Sequence, residues 1–598
     1  MTAPIHDLMM DYPLTLTQFF ERSRRLFARK TLATRRPGQP LFRYTYADFA
    51  ERTRRLAGVL KDLGVGRGDR VATLAWNSHR HLELYWAIPL SGAVLHTLNF
   101  RLSAQDLTYI VNHAGDTVLF VDASVWPVFA AIRDKLTTVR TIVVMHDGAP
   151  SVGGQAGPEA AVPPDLSDYE TLLAAATPVA QWPQLAETDA AAMCYTSGTT
   201  GHPKGVVYTH RALYIHCLAQ ALADAMALSE NDVILHIVPM FHANAWCVPF
   251  CGTMLGSTQI FGGPNPQPRD ICEIVQAERV TFVGAVPTVW IAVKELVERE
   301  CYDISSIRCI PIGGSAAPRS LLEHYDKQFG ASMMHAWGMT EMSPLGTLSR
   351  LKSYMRQWPE DAQYAVRATQ GYISVGVDLR IVDDEGREQP WDGQAMGEIQ
   401  VRGPWIIRSY YDNAESADRF TPDGWFRTGD VATVDSEGYV RITDRTKDLI
   451  KSGGEWISSI DVETMIMSQG AGGRGHRGPA SQVGGAAAGL RGAQAGGHPG
   501  APGDRRVPPA PPGQVGVARR GRADHGRAQD ERRQVRQEGP ARALPRLDPE
   551  RGVTMGAGRP AACFLRWYPT LREGALDLGL RYRCSRISSG WCYVMQKR

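Results

Sequence analysis

The residues best suited to chemistry stand together in Tyr195–Val207, YTSGTTGHPKGVV. Gly198, Gly201 and Gly205 permit tight backbone turns, Thr196, Ser197, Thr199 and Thr200 supply hydroxyls, and Lys204 adds a cation. Turned backbone amides, hydroxyl donors and one positive charge are what a phosphate group needs in order to be held. The helix-like segment that follows, HRALYIHCLAQAL, can add unpaired N–H groups at its start. The spacing is not GxxxxGK[ST], so the loop is not of the Walker type.

The elements that must position this loop are legible from about residue 14 to 465, where helix-like and strand-like stretches alternate. Leu14–Phe27 and Tyr46–Leu63 carry apolar residues at helical spacing, and Arg70–Leu74, Val118–Val121 and Thr141–Met145 are short β-rich runs. Such alternation predicts an α/β fold, with sheets covered by helices. The Gly- and Pro-rich interval Asp147–Pro164 reads as a surface excursion, and TPDGWFRTGD, from Thr421, packs turn residues together. With 598 residues, at least two domains are expected.

Other motifs follow the loop in order: PMFHANAWC (Pro239–Cys247), AVPTVW (Ala285–Trp290), GGSAAP (Gly313–Pro318), HAWGMTEMSP (His335–Pro344), RTGD (Arg427–Asp430) and DRTKDLIKSGGEWIS (Asp444–Ser458). Together they resemble the adenylate-forming superfamily of acyl-CoA synthetases, luciferases and peptide-synthetase adenylation domains, over roughly residues 10–467. The resemblance implies a large multi-layer α/β adenylation (AMP-binding) domain over 10–443. The hinge, at Asp444, and the start of a small C-terminal domain follow over 444–467. It implies ATP, Mg²⁺ and coenzyme A as cofactor and co-substrates.

By the same resemblance, Thr196, Lys204 and Glu341 are catalytic, with Thr196 and Glu341 holding Mg²⁺. A hydroxyl and a carboxylate suit that ion as hard oxygen ligands. Ser197, Gly198, Thr199, Thr200 and Gly201 would cradle the phosphates. Gly314, His335, Ala336 and Trp337 would wall the adenine, with Thr340 beside them; many members have Tyr where Trp337 stands. Asp430 would accept from the ribose hydroxyls, although TGD is also a good turn sequence. Arg445, Lys447, Lys451 and Trp456 match further nucleotide contacts. Trp246 falls where long-chain members carry a gating tryptophan; packing in the core is the plainer role.

FHANAWCVPF and FVGAVPTVWIAV are strongly apolar and place no charge to bind an amino group, which disfavours amino-acid substrates. The pattern is most similar to medium- and long-chain fatty-acid–CoA ligases. An aryl- or other carboxylate–CoA ligase and a catalytically dead nucleotide- or lipid-binding protein stay open. No run of about 18 apolar residues would span a bilayer, and the N-terminus lacks the pattern of a secretory signal. Ten cysteines without CxxC spacing fit neither a zinc cluster nor a disulfide scaffold. A cytoplasmic, reduced protein is expected, and a homodimer is compatible with the family.

After about Ser468 the pattern collapses. Residues 468–598 hold 23 basic and 9 acidic residues, against 42 and 53 in the rest of the chain, with one Phe and one Ile. This Gly/Ala/Arg/Pro-rich stretch offers little apolar surface to offset chain entropy, so disorder is expected. A nucleic-acid arm would interleave aromatics among its basic residues; this stretch largely does not, so no specific nucleic-acid partner is expected. The family's C-terminal lysine motif is missing, and the only lysine here is Lys597, which implies slow adenylation. Back-translating Gly472–Gly489 with a one-nucleotide shift permits VAEATVAQHPKWEERPL, and the same shift over Asp530–Arg542 permits TSVGKFDKKALR. Both resemble family small-domain sequence, in one frame and in order. They point to a frameshift shortly after Met467 that truncates the small C-terminal domain.

Overall fold

Thr45 and Asp48 show how the alternation becomes structure. The Thr45 hydroxyl accepts from the Asp48 amide, and the Asp48 carboxylate accepts from the Thr45 amide. This reciprocal cap starts the helix Tyr46–Asp62, whose Phe49, Leu56 and Leu60 turn inward. In the computed structural model, the described residues are 8–146, 162–196, 202–445, 450–452, 455–457, 581–587 and 590–596. The helices expected at 14–27 and 46–63 run Leu16–Leu26 and Tyr46–Asp62; the strands Arg70–Leu74 and Thr141–Met145 stand as expected, and Val118–Val121 lies inside Asp116–Asp122.

The sheet that carries the glycine-rich loop has seven strands, in the spatial order Ser167–Asp168, Thr141–Met145, Asp116–Asp122, Arg70–Leu74, Val94–Thr97, Ala190–Tyr195, Gly205–Thr209. All pairings are parallel except the last, where Gly205–Thr209 returns against Ala190–Tyr195. The loop therefore leaves the carboxyl end of a parallel strand, where open α/β sheets place their ligands.

A second sheet orders Val233–His236, Thr258–Phe261 and Thr31–Thr34 in parallel, with Phe42–Thr45 antiparallel at its edge. Single-residue bridges through Phe282 join it to the parallel strands Cys309–Ile312 and Ser332–Gly338. The helix His79–Leu90 touches strands of both sheets and is buried at all its twelve positions. It has no polar face to read, which explains its weak helical periodicity in the sequence. Its Glu83 is fully buried and must be paired: Arg52 Nε lies 2.7 Å from Oε1, and the Tyr169 hydroxyl donates to Oε2 at 2.6 Å.

A third sheet is an antiparallel meander of Asp378–Val382, Met396–Arg402, Phe426–Val434 and Val440–Arg445. The turn residues from Thr421 close at Gly424, with φ of 86°, so the RTGD motif itself lies in a strand and not in the turn. Asp444, the expected hinge, is in the last of these strands, opposite Val431.

The chain divides into units 1–474 and 475–598. Within the second, where disorder is expected, Arg581–Ile587 pairs antiparallel with Gly590–Gln596. These two runs are the β-prone part of the tail, with Tyr, Cys, Ile, Trp and Val interleaved. Its other residues, like 147–161, lie outside those described. Among the described residues no helix is long and apolar enough to cross a membrane.

Candidate active site

The antiparallel pairing of Ala190–Tyr195 with Gly205–Thr209 brings Thr196 beside Lys204. The Thr196 amide donates to the Lys204 carbonyl at 3.0 Å, and the Lys204 amide donates to Thr196 Oγ1 at 3.1 Å. The two ends of the glycine-rich loop are thus fixed to each other. Ser197, Gly198, Thr199, Thr200 and Gly201 lie outside the described residues. Gly205 is required for space: a Cβ there would stand 3.0 Å from the Tyr195 ring and 3.2 Å from Tyr411 Cβ. The helix Ala104–Ala114 braces both ends, with His113 Nδ1 2.7 Å from the Tyr195 hydroxyl and Tyr109 stacked on His202 at 4.5 Å.

One expectation is corrected. The helix after the loop, His210–Ala221, starts only after the five-residue strand Gly205–Thr209, which carries it about 16 Å onward. Its first amides are already used: Thr209 Oγ1 accepts from Ala212, Asp189 O from His210 and Glu187 O from Arg211. This helix start therefore offers nothing to a phosphate at the loop.

Glu341 sits in the single turn Thr340–Met342, directly after the strand Ser332–Gly338, and is 7% exposed. The Tyr410 hydroxyl donates to its Oε1 at 2.6 Å, and the Ile407 amide donates to its carbonyl. Thr340 presents its carbonyl to the Tyr208 hydroxyl at 2.7 Å. Burial, then the Glu341 charge, hold the Tyr410 hydroxyl far above the ordinary phenol range, so it stays a donor. The Lys204 ammonium lies 5.2 Å from the centre of the same Tyr410 ring. Tyr410 is not singled out by the sequence, because its partners are far away along the chain; the signal available was a tyrosine pair shortly after the apolar run PWII.

Trp337 and Asp430 meet directly, the indole Nε1 donating to Oδ2 at 2.8 Å. Asp430 is 6% exposed and lies in a strand, so the turn-capping alternative falls away. Its amide donates to Thr428 Oγ1, and its register partner is Arg445. His335 is buried, with Nδ1 3.2 Å from the Ala368 carbonyl; burial pushes it below the usual imidazole range and keeps it neutral. Gly314 has φ of +84°, and a Cβ on its neighbour Gly313 would approach the Ala336 carbonyl to 3.0 Å. Lys451 and Trp456 are register partners in the antiparallel strands Ile450–Ser452 and Glu455–Ile457, and Lys447 lies outside the described residues.

Trp246 is held by an unusual backbone. Ala243, Asn244, Ala245, Trp246 and Cys247 have φ of 43°, 51°, 50°, 57° and 58°, a left-handed turn in a stretch without glycine. Such a conformation costs L-residues roughly 1–2 kcal/mol each. Cys194 Sγ donates to Asn244 Oδ1 at 3.0 Å, Cys247 Sγ to the Ser343 carbonyl at 3.0 Å, and Gln220 Nε2 to the Cys247 carbonyl at 3.3 Å. The Trp246 ring rests on two glycines: a Cβ would stand 3.1 Å from it at Gly284 and 3.9 Å at Gly313. Trp246 therefore adjoins the Gly313–Ala336 wall.

The donor set fits a nucleotide-borne Mg²⁺. Among the described residues no group of three or more His, Cys, Asp or Glu forms a self-sufficient metal cage. Mg²⁺ that arrives with phosphates needs only one or two protein oxygens, and Tyr410 engages only one oxygen of Glu341.

A glycine-rich segment after a parallel strand, a buried carboxylate that meets the tyrosine under Lys204 and a second carboxylate beside an indole are the arrangement expected of the adenylate-forming class. The family model for AMP-binding enzyme matches residues 20–411, and the chain belongs to that family. It is 47% identical over 460 residues to the long-chain-fatty-acid–CoA ligase of Thermus thermophilus, covering 77% of this chain and 82% of that one. It is 39% identical to the 3-methylmercaptopropionyl-CoA ligase of Ruegeria lacuscaerulensis, covering 77% and 84%. Among solved structures, the fatty acyl CoA synthetase of Mycobacterium tuberculosis matches with a TM-score of 0.60 at 27% identity, covering 76% and 83%.

Proposed function

We propose that this chain is a fatty-acid–CoA ligase of the AMP-forming, acid–thiol class, acting in the cytoplasm and assembling as a homodimer. The fatty-acid carboxylate attacks the α-phosphate of ATP, giving acyl-AMP and pyrophosphate; the thiol of coenzyme A then attacks the acyl carbon, giving acyl-CoA and AMP. The observation that carries this reading is the 47% identity to the Thermus thermophilus long-chain-fatty-acid–CoA ligase, over 77% of this chain and 82% of that one.

The residues divide the work by charge. Thr196 and Lys204 meet the phosphates, Thr196 and Glu341 hold Mg²⁺, and Asp430 takes the ribose. The Gly313–Gly314 and His335–Trp337 segments wall the base, and Trp246 gates the acyl channel from its bed on Gly284 and Gly313. Bound Mg²⁺ supplies neutralisation of phosphate charge. No side chain forms a covalent intermediate; the protein contributes position and electrostatic stabilisation. The apolar segments FHANAWCVPF and FVGAVPTVWIAV favour an alkyl chain, in keeping with the Thermus relative.

The test is pyrophosphate release and acyl-CoA formation with short, medium and long alkanoates, benzoate-type acids and 3-methylmercaptopropionate. Alkanoates of medium or long chain are expected to dominate. Preference for the aryl or thioether acid would replace fatty acid in this reading, and ATP binding without pyrophosphate from any acid would replace it with a binding protein.

A further inference from the structure

We infer that Tyr410 is a positioning residue that fixes the phosphate-loop lysine, Lys204, relative to the carboxylate Glu341, and so sets how the site takes Mg²⁺ together with ATP; this rests on the ligase reading above. Tyr410 is 5% exposed and uses three parts of itself at once. Its hydroxyl donates to Glu341 Oε1 at 2.6 Å, its ring carries the Lys204 ammonium at 5.2 Å, and its amide donates to Ser416 Oγ at 3.0 Å.

The next residue grips the same loop from the other side. The Tyr411 amide donates to the Gly205 carbonyl at 2.8 Å, and its ring meets His113 edge-on at 5.8 Å. Consecutive tyrosines thus seize the Thr196–Lys204 stem and the Glu341 turn, two regions more than a hundred residues apart. A phenol that serves only to fill space needs no carboxylate partner, and Phe would pack as well. The hydroxyl instead turns Glu341 so that its second oxygen is left to other ligands, and the ring face seats an ammonium that would otherwise range over several rotamers.

The test uses the full chain and calorimetric binding of ATP with and without Mg²⁺. Tyr410→Phe keeps the ring and removes the hydroxyl. Loss of a hydrogen bond to a charged group is expected to weaken Mg²⁺–ATP about tenfold and leave metal-free ATP unchanged. Tyr410→Leu removes the cation's seat as well and is expected to weaken metal-free ATP about threefold in addition. Equal weakening of both forms in Tyr410→Phe, or Mg²⁺–ATP affinity within about twofold of wild type, overturns the inference. A wild-type chain that binds no ATP overturns the ligase reading, and this inference with it. Should Tyr410→Phe fail to fold, Ser416→Ala frees only the Tyr410 amide. It should weaken Mg²⁺–ATP about fivefold with metal-free ATP unmoved, and no such selectivity overturns the inference.

Discussion

The Trp337 indole donates to Asp430 across 2.8 Å, and both side chains are more than nine-tenths buried. The contact joins the strand Ser332–Gly338 to the antiparallel meander, and it is built tightly. A Cβ at Gly346 would stand only 2.7 Å from the Trp337 ring. Asp430 is thus aimed before any nucleotide arrives. Trp337→Phe keeps an aromatic face but deletes the donor. It should raise the KM for ATP about tenfold, the size expected when a carboxylate loses one partner, with kcat less affected. An unchanged KM would show that Asp430 needs no help from Trp337.

Acid should weaken the fold through histidines buried in their neutral form. Burial lowers His81, His210 and His236 to about 4 and His216 to about 3. Between pH 6.5 and those values the unfolded chain binds protons that the folded chain refuses, so stability falls as pH falls through this window and is complete above it. Each such histidine removes about 2 kcal/mol between pH 7 and 5. His216 has a defined partner, its Nε2 accepting from the Leu345 amide at 3.2 Å. His216→Gln can keep that acceptor without titrating. Urea unfolding at pH 7 and pH 5 should show the variant losing about 2 kcal/mol less than wild type over the interval.

Arg52 carries the one carboxylate of the helix buried between the sheets. Its guanidinium spans Glu83 and Glu170, with contacts of 2.7 and 3.2 Å to the first and 2.9 and 3.0 Å to the second. Arg52→Met strands Glu83 without a countercharge and should cost about 3–5 kcal/mol. The double variant Arg52→Met/Glu83→Met removes both charges and should regain part of that loss, the buried Tyr169 hydroxyl left without its acceptor keeping about 1–3 kcal/mol of it. A double variant no more stable than Arg52→Met would mean that packing, not the ion pair, dominates there.

What the sequence made legible follows from distance along the chain. Strands such as Arg70–Leu74 and helices such as Tyr46–Asp62 depend on neighbours within a few residues, so residue type and spacing reveal them. Gly205, expected to turn the loop, instead opens the strand Gly205–Thr209, and it is needed there for space beside Tyr195 and Tyr411, which spacing alone does not show. Tyr410 was not readable, since its value lies in meeting Glu341, 69 positions earlier, and Lys204. The left-handed turn at Ala243–Cys247 was hidden because Ala and Trp prefer right-handed backbone, and contacts from distant residues, Cys194, Gln220 and Ser343 among them, help to hold it. The helix start at His210 stands where its apolar spacing placed it, but its first amides are not free for the loop. Asp189, Glu187 and Thr209 accept from them, and the first two of those partners, from a distant segment, were not legible.

The tail gives the last prediction. No lysine stands between Lys451 and Lys597, whereas a one-nucleotide shift over Asp530–Arg542 permits TSVGKFDKKALR. In the family this segment supplies a cation to the charge that develops as the carboxylate meets the α-phosphate. Removing one such group from a closed site typically costs about a hundred- to a thousandfold in rate. A gene with the frame restored after Met467 should therefore release pyrophosphate at least about a hundredfold faster than the chain as written, while ATP affinity, assigned in the proposed function to residues before the shift, should change much less. Replacing the restored lysine with alanine should return the rate to that of the written chain. Equal rates from both genes would show that residues 468–598 already provide what the adenylation step requires.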